Sequence, residues 1–184
     1  MKSLHLTLKA WPVIAIATIG LCYLTQTVAG WFGIDLKEQE TVRIMRDMGY
    51  YTWRTFKEAG FVALFRHEAS KKFLINIPLV LLAAPIFEEA IFRGLLTRLV
   101  AGKDFVAEHF GRRTVVCILF SSALFSLAHY LQMPSKNNAF LALFFFGLAQ
   151  CWLYRKTGHL WCAMLNHALF NLTNLVLLFT LPEA

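Results

Sequence analysis

Charged residues are scarce in this sequence. Of its 184 residues only 16% are Asp, Glu, Lys or Arg, whereas 58% are hydrophobic. A soluble domain of this length could not bury so much apolar surface, because much of a small globular protein stays in contact with water. The shortage of charge therefore argues against a soluble fold and favours a membrane protein whose apolar surface is covered by lipid.

Motifs for metal, redox and nucleic-acid chemistry are also missing. No CxxC pair occurs and the four cysteines all lie in apolar segments, so small buried side chains are favoured over a disulfide or a thiol-metal site. No HExxH, glycine-rich phosphate loop or RNA-binding motif is present. The net charge of +7 comes from Lys and Arg between the apolar segments, where they face anionic lipid headgroups. We therefore expect no nucleic-acid partner.

The sequence does contain a series of long apolar segments. They predict an all-α fold, a polytopic transmembrane helical bundle with about five spans in a multi-pass membrane protein. Trp11 and Trp31 are separated by about 30 Å of helix, which matches the hydrocarbon thickness. This spacing predicts a retained first transmembrane helix over 11–33 rather than a cleaved signal peptide. The other spans are predicted at 73–100, 114–132, 139–154 and 160–181.

Residues 34–72 differ from the rest, because charged residues are interspersed there with apolar ones. The pattern predicts one or two amphipathic helices at the membrane interface, and a solvated loop packed on the helix ends is the alternative. We expect a single membrane domain over 1–184, with a four-helix core at 73–181 and the lipid bilayer as a partner. Lys and Arg in the short loops favour an inside N-terminus, but the eight basic residues of 34–72 argue for the opposite orientation.

The stretch 85–94, PIFEEAIFRG, holds two adjacent carboxylates and an arginine within an apolar segment. A charge at mid-bilayer depth costs at least about 2.5–3.5 kcal/mol. Three charged residues within six positions therefore indicate a functional site. In a helix Glu89 and Arg93 share a face and can pair, while Glu88 lies about 100° away. One carboxylate held by an arginine and one left free would make a base in a dry site, and which of the two is free stays open. Pro85 predicts a kink that opens backbone groups toward a cavity.

Two further spans carry polar side chains at similar depth, His129 on the third and His167 with Asn171 on the fifth. Because lipid cannot satisfy them, we expect them to face Glu88 across the bundle and to line one polar cavity. A carboxylate in an apolar pocket is a stronger base than one in water and can deprotonate a water molecule. Histidine and asparagine can donate hydrogen bonds to a developing oxyanion. These groups together predict amide hydrolysis without a serine or cysteine nucleophile.

At these residues the sequence resembles the CAAX-protease and bacteriocin-processing family of glutamic-type intramembrane endopeptidases, also called CPBP or Abi. The family's EExxxR, FxxxH and HxxxN motifs match residues 88–93, 125–129 and 167–171. They occur in the family's order, with one span between the second motif and the third. The resemblance covers about residues 73–180, so the four-helix core would be the catalytic part of the chain.

The resemblance implies an intramembrane endopeptidase acting on a membrane-associated protein or peptide. The catalytic residues implied are Glu88 as the base, His129 to position water or substrate, and His167 with Asn171 as the oxyanion hole. The supporting residues implied are Glu89, Arg93 and Phe125. We expect no cofactor, and a chain this short suggests a bacterial member in the inner membrane.

Two other functions compete with this prediction. Two histidines and a glutamate suit zinc, so a zinc-dependent membrane protease could use Glu88, His129 and His167 as ligands. A non-catalytic membrane immunity or chaperone protein could share the same scaffold, although a binding role requires neither a base nor oxyanion donors.

Overall fold

A computed structural model of the chain describes residues 1–36, 40–106, 111–131 and 139–180. Within these ranges the fold is all-α without strands, so the predicted fold class is confirmed. The helices are α1 (Lys2–Trp31), α2 (Glu40–Ala59), α3 (Phe61–Leu64), α4 (Glu68–Ala101), α5 (Arg112–Leu131), α6 (Ala139–Thr157) and α7 (Leu160–Thr180). The predicted core boundary at residue 181 lies outside the described residues.

Four of the described helices, α1, α4, α5 and α7, are long and apolar enough to cross a membrane. This number is roughly consistent with the five spans predicted. Because these helices can cross a membrane, the chain is an integral membrane protein. The remaining long apolar helix, α6, ends in Arg155 and Lys156, which lower its mean hydropathy. α6 packs against α1, α5 and α7.

The described part of 34–72 is helical rather than a loop. α2 packs against α4 and α7, and its buried side chains include Met45 and Thr52. Arg54 and Glu58 are exposed and form an ion pair of 2.8 Å. The predicted amphipathic helix is therefore present and packs one face against other helices, which the alternative of a solvated loop did not foresee, while a location at the membrane interface stays a prediction.

Helix α4 begins five residues earlier than the predicted second span and is interrupted twice. Two π-helical segments, Leu79–Ala83 and Ala90–Leu95, lie on either side of a short α-helical segment, Ala84–Glu89. In both π segments the N–H that follows bonds to the carbonyl five residues earlier, which widens the turn. The disruption expected at Pro85 is thus a change of helical register that brackets both glutamates.

Helices α5 and α6 pack closely because a glycine lies between them. A Cβ atom on Gly147 would lie 2.9 Å from the Cβ atom and 3.0 Å from the Cα atom of Ser122. A backbone atom cannot rotate away, so only glycine allows this approach. The contact holds α6 against the helix that carries His129.

We expect Gly147→Ala to destabilise the bundle by about 1–3 kcal/mol, because the added methyl group overpacks the α5–α6 contact. Gly20→Ala is the matched control, since a Cβ atom at Gly20 in α1 meets nothing within 4 Å. Thermal unfolding in detergent measures both variants. Equal melting temperatures for the two variants would contradict this account of the α5–α6 contact.

Candidate active site

Glu89 is fully buried and held by two side chains. Its Oε1 atom lies 3.2 Å from Nη1 of Arg93, one helical turn later, and 2.9 Å from Nδ1 of His167 on α7. The Arg93 side chain is also fully buried, so the pair predicted from the i, i+4 spacing is present in the interior. Because a carboxylate only accepts hydrogen bonds, His167 donates from Nδ1 and turns Nε2 away from Glu89.

Glu88 faces a different environment, as the helix geometry predicts. Its side chain is 27% exposed, and its Oε2 atom lies 3.6 Å from Nε2 of His129 and 3.8 Å from Nε2 of His167. Both distances are too long for a direct hydrogen bond. Three separate helices therefore bring one carboxylate and two imidazoles together.

His129 is oriented by its own helix. Its Nδ1 atom lies 3.0 Å from the carbonyl oxygen of Phe125 and donates to it, which leaves the Nε2 lone pair directed toward Glu88. The buried ring of Phe125 lies 4.5 Å from the His129 ring and 5.9 Å from the His167 ring. The Arg93 guanidinium lies over the same ring at 4.4 Å, a cation–π contact. Phe125 thus contacts both histidines and the arginine.

Asn171 is near the cluster but is bound to backbone. Its Nδ2 atom donates to the carbonyl oxygen of Val80 at 2.8 Å. In the register of the first π segment the donor to Val80 would come from Pro85, which has no N–H, so the asparagine replaces a missing backbone donor. An amide nitrogen carries two hydrogens, and the second one is the hydrogen that an oxyanion could use.

Some residues of the site were not recognisable from the sequence. Phe146 of α6, in a span that looks like plain scaffold, meets the His167 ring edge-on at 5.0 Å. Ser121 of α5 donates from Oγ to the carbonyl oxygen of Phe92 at 2.8 Å. Next to His167, the buried side chains of Gln150 and Asn166 are joined by a 2.9 Å hydrogen bond between α6 and α7.

The serine stripe that continues to His129 serves packing rather than the site. Ser122 donates from Oγ to the carbonyl oxygen of Ile118 in its own helix at 2.8 Å. Ser126 bonds to the carbonyl oxygen of Phe140 on α6. Ser122, Ser126 and His129 are spaced i, i+4 and i+7, and all three are bonded to backbone carbonyl oxygens, and only His129 also faces Glu88.

The zinc alternative depends on the same cluster. In the part of the chain that the structure describes, no group of three His, Cys, Asp or Glu side chains is arranged to hold a metal ion. The donor types nevertheless suit zinc, because each histidine donates from Nδ1 to an oxygen and directs Nε2 toward Glu88, as metal-bound histidines commonly do.

The fold and the cluster define a helical membrane protein with a carboxylate and two histidines in its interior. The family model described as type II CAAX prenyl endopeptidase Rce1-like matches residues 70–173, more than half of the chain. The chain belongs to this family, and its general class is that of a CAAX-type intramembrane protease. Comparisons with curated proteins and with solved structures found no significant match.

We expect Arg93→Ala to lower the free energy of unfolding by about 3–5 kcal/mol, because it leaves the buried Glu89 carboxylate without its cationic partner. Arg54→Ala is the matched control, since Arg54 and Glu58 form the same i, i+4 pair with side chains 58% and 63% exposed. Its removal should leave the stability of the protein close to that of the wild type, because an exposed ion pair is screened by solvent. Denaturation in detergent compares them, and wild-type stability of Arg93→Ala would refute the importance of the buried pair.

Proposed function

We propose that the protein is a glutamic-type intramembrane endopeptidase that hydrolyses a peptide bond of a membrane-associated protein or peptide. The observation that carries this proposal is the position of Glu88, whose Oε2 atom lies within 4 Å of Nε2 of both His129 and His167. Glu88 is the only one of the two glutamates with an exposed side chain, since Glu89 is fully buried. A base must reach water and substrate, so accessibility favours Glu88 for this role.

In this mechanism Glu88 and the Nε2 lone pair of His129 hold the attacking water between them. As the water oxygen bonds to the substrate carbonyl carbon, its proton passes to the Glu88 carboxylate and the carbonyl electrons move onto oxygen. Glu88 then returns the proton to the peptide nitrogen as the carbon–nitrogen bond breaks. Base catalysis of this kind is worth about 10²–10⁴-fold.

The oxyanion is assigned to His167 and Asn171. His167 can donate from Nε2 in its doubly protonated form, with the Nδ1 hydrogen directed to Glu89. Asn171 can donate its second amide hydrogen while the first stays on Val80. Each oxyanion donor typically contributes about 10²–10³-fold.

Glu89, Arg93 and Phe125 support these groups without touching substrate. Glu89 sets the tautomer of His167 through the 2.9 Å bond to Nδ1. Phe125 contacts both imidazole rings and the Arg93 guanidinium, which limits their motion. The proposed location is a bacterial inner membrane, as the family resemblance implies.

We expect Glu88→Gln to abolish cleavage while the protein stays folded and inserted, because the amide cannot take a proton from water. A comparison of the membrane proteomes of mutant and wild-type cells should show an uncut precursor that accumulates in the mutant. Glu58→Gln, at an exposed glutamate on α2, serves as the matched control and should process that precursor normally. If Glu88→Gln cells keep full biological activity, the protein acts as a non-catalytic membrane protein instead.

The zinc protease remains the second candidate because the Nδ1 bonds of both histidines direct their Nε2 atoms toward Glu88. We expect processing of the precursor by purified protein to survive dialysis against a strong chelator, since the proposed base acts without a metal. A protein dialysed in parallel without the chelator is the control. Loss of activity that returns with added zinc, together with one bound zinc per chain, would establish the metal mechanism.

A further inference from the structure

The two π segments of α4 share a feature that the proposed mechanism does not use. Each contains a backbone carbonyl that accepts a hydrogen bond from a neighbouring helix. Asn171 of α7 donates to the carbonyl of Val80, and Ser121 of α5 donates to the carbonyl of Phe92, both at 2.8 Å. The glutamates lie between these two points of attachment.

The change of register explains why these carbonyls are available. In an α-helix each carbonyl is bonded by the N–H four residues later, and a π turn shifts that partner by one residue and exposes part of the backbone. Side-chain hydroxyls and amides of adjacent helices satisfy such groups in membrane proteins, where water is scarce. Ser121 is fully buried, so its hydroxyl has little access to solvent.

The Ser121 bond fixes one helix against another close to the chemistry. Phe92 lies four residues after Glu88 on α4, and Ser121 lies eight residues before His129 on α5. A slip of α5 by one residue would move His129 by about 1.5 Å along the helix axis. Such a slip would alter the 3.6 Å separation between Glu88 and His129 by up to about 1.5 Å, and with it the position of a water molecule held by the two groups.

We infer that Ser121 is a positioning residue, which sets the distance between the base Glu88 and His129 by holding α5 to the second π segment of α4. The inference rests on the proposed function, because it assigns a purpose to that distance. Ser121 lies outside the three family motifs quoted above, and no charge or spacing in the sequence distinguishes it from its neighbours.

The adjacent residue provides a matched control. Ser122 is also fully buried on α5, but its hydroxyl bonds to Ile118 within the same helix. Ser121→Ala and Ser122→Ala each remove one buried oxygen atom, yet only the first removes a hydrogen bond to the backbone of α4, since Ser122 bonds to Ile118 and interacts with the Cys151 thiol of α6. Any difference between the two variants therefore reports on the attachment of α5 to α4 rather than on the loss of a buried hydrogen bond.

The first measurement is the rate at which purified protein processes the precursor that accumulates in Glu88→Gln cells. We expect Ser121→Ala to slow processing about tenfold or more, because small misplacements of catalytic groups are costly, and Ser122→Ala to remain within about twofold of wild type. Ser121→Cys keeps a weak donor and should fall between wild type and Ser121→Ala. If Ser121→Ala does not fold, Ser121→Cys against Ser122→Cys decides the question in the same way. Equal rates in the matched pair would overturn the inference.

The second measurement does not depend on catalysis. The ring ¹⁵N chemical shifts of His129 in the detergent-solubilised protein, assigned with His129→Gln, report on the surroundings of its Nε2 atom. We expect them to change in Ser121→Ala and to match wild type in Ser122→Ala. If Glu88→Gln proves as active as wild type, the protease proposal fails, but the positioning of His129 by Ser121 is still tested by these shifts. Unchanged shifts in Ser121→Ala would show that Ser121 does not position His129.

Discussion

The structure depends on one constraint, which is that a polar group in the apolar interior of a membrane protein must find its partner within the protein. The fully buried pair of Glu89 and Arg93 meets it through Oε1 and Nη1, and His167 adds a bond to the same Oε1 from α7, while Oε2 of Glu89 has no hydrogen-bond partner among the described residues. These contacts join α4 to α7 and fix the depth at which their polar residues meet. Phe125 then brings α5 into the same cluster through the Arg93 guanidinium.

The same constraint divides two adjacent glutamates into different roles. Glu89 has a cation and an imidazole within 3.2 Å of its Oε1 atom, so its charge is balanced, while its buried Oε2 atom has no hydrogen-bond partner among the described residues. Glu88 has only two imidazole nitrogens beyond direct hydrogen-bond distance and a partly exposed side chain. A partly exposed carboxylate can meet water and substrate, whereas a fully buried carboxylate beside a cation holds the structure. The reactivity proposed for Glu88 therefore relies on its exposure and on the pairing of Glu89 with Arg93.

The sequence predicted those features that follow from periodicity within one helix. Apolar length identified the spans, and the i, i+4 spacing paired Glu89 with Arg93. The sequence also predicted that three polar residues meet in the interior, namely Glu88, His129 and His167, because few other polar partners lie at the same depth. The π segments could not be predicted, because their register depends on which neighbouring side chains reach the freed carbonyls. For the same reason Ser121, which bonds to another helix, looked no different from Ser122, which bonds to its own.

The π segments give a physical reason for placing the glutamates on α4 rather than on a regular helix. In a regular helix the interior carbonyls are bonded by the helix itself, so a neighbour that binds one, as Ser126 binds Phe140, shares it with a backbone N–H. The widened turns of α4 offer backbone oxygens, and Asn171 and Ser121 bind them from opposite sides of the glutamates in the sequence. Backbone attachments have less conformational freedom than contacts between long side chains, so they fix Glu88 more tightly. When Asn171 is bound to Val80, its second amide hydrogen also lies at a defined point. One side chain can therefore both position α4 and donate a hydrogen bond to an oxyanion.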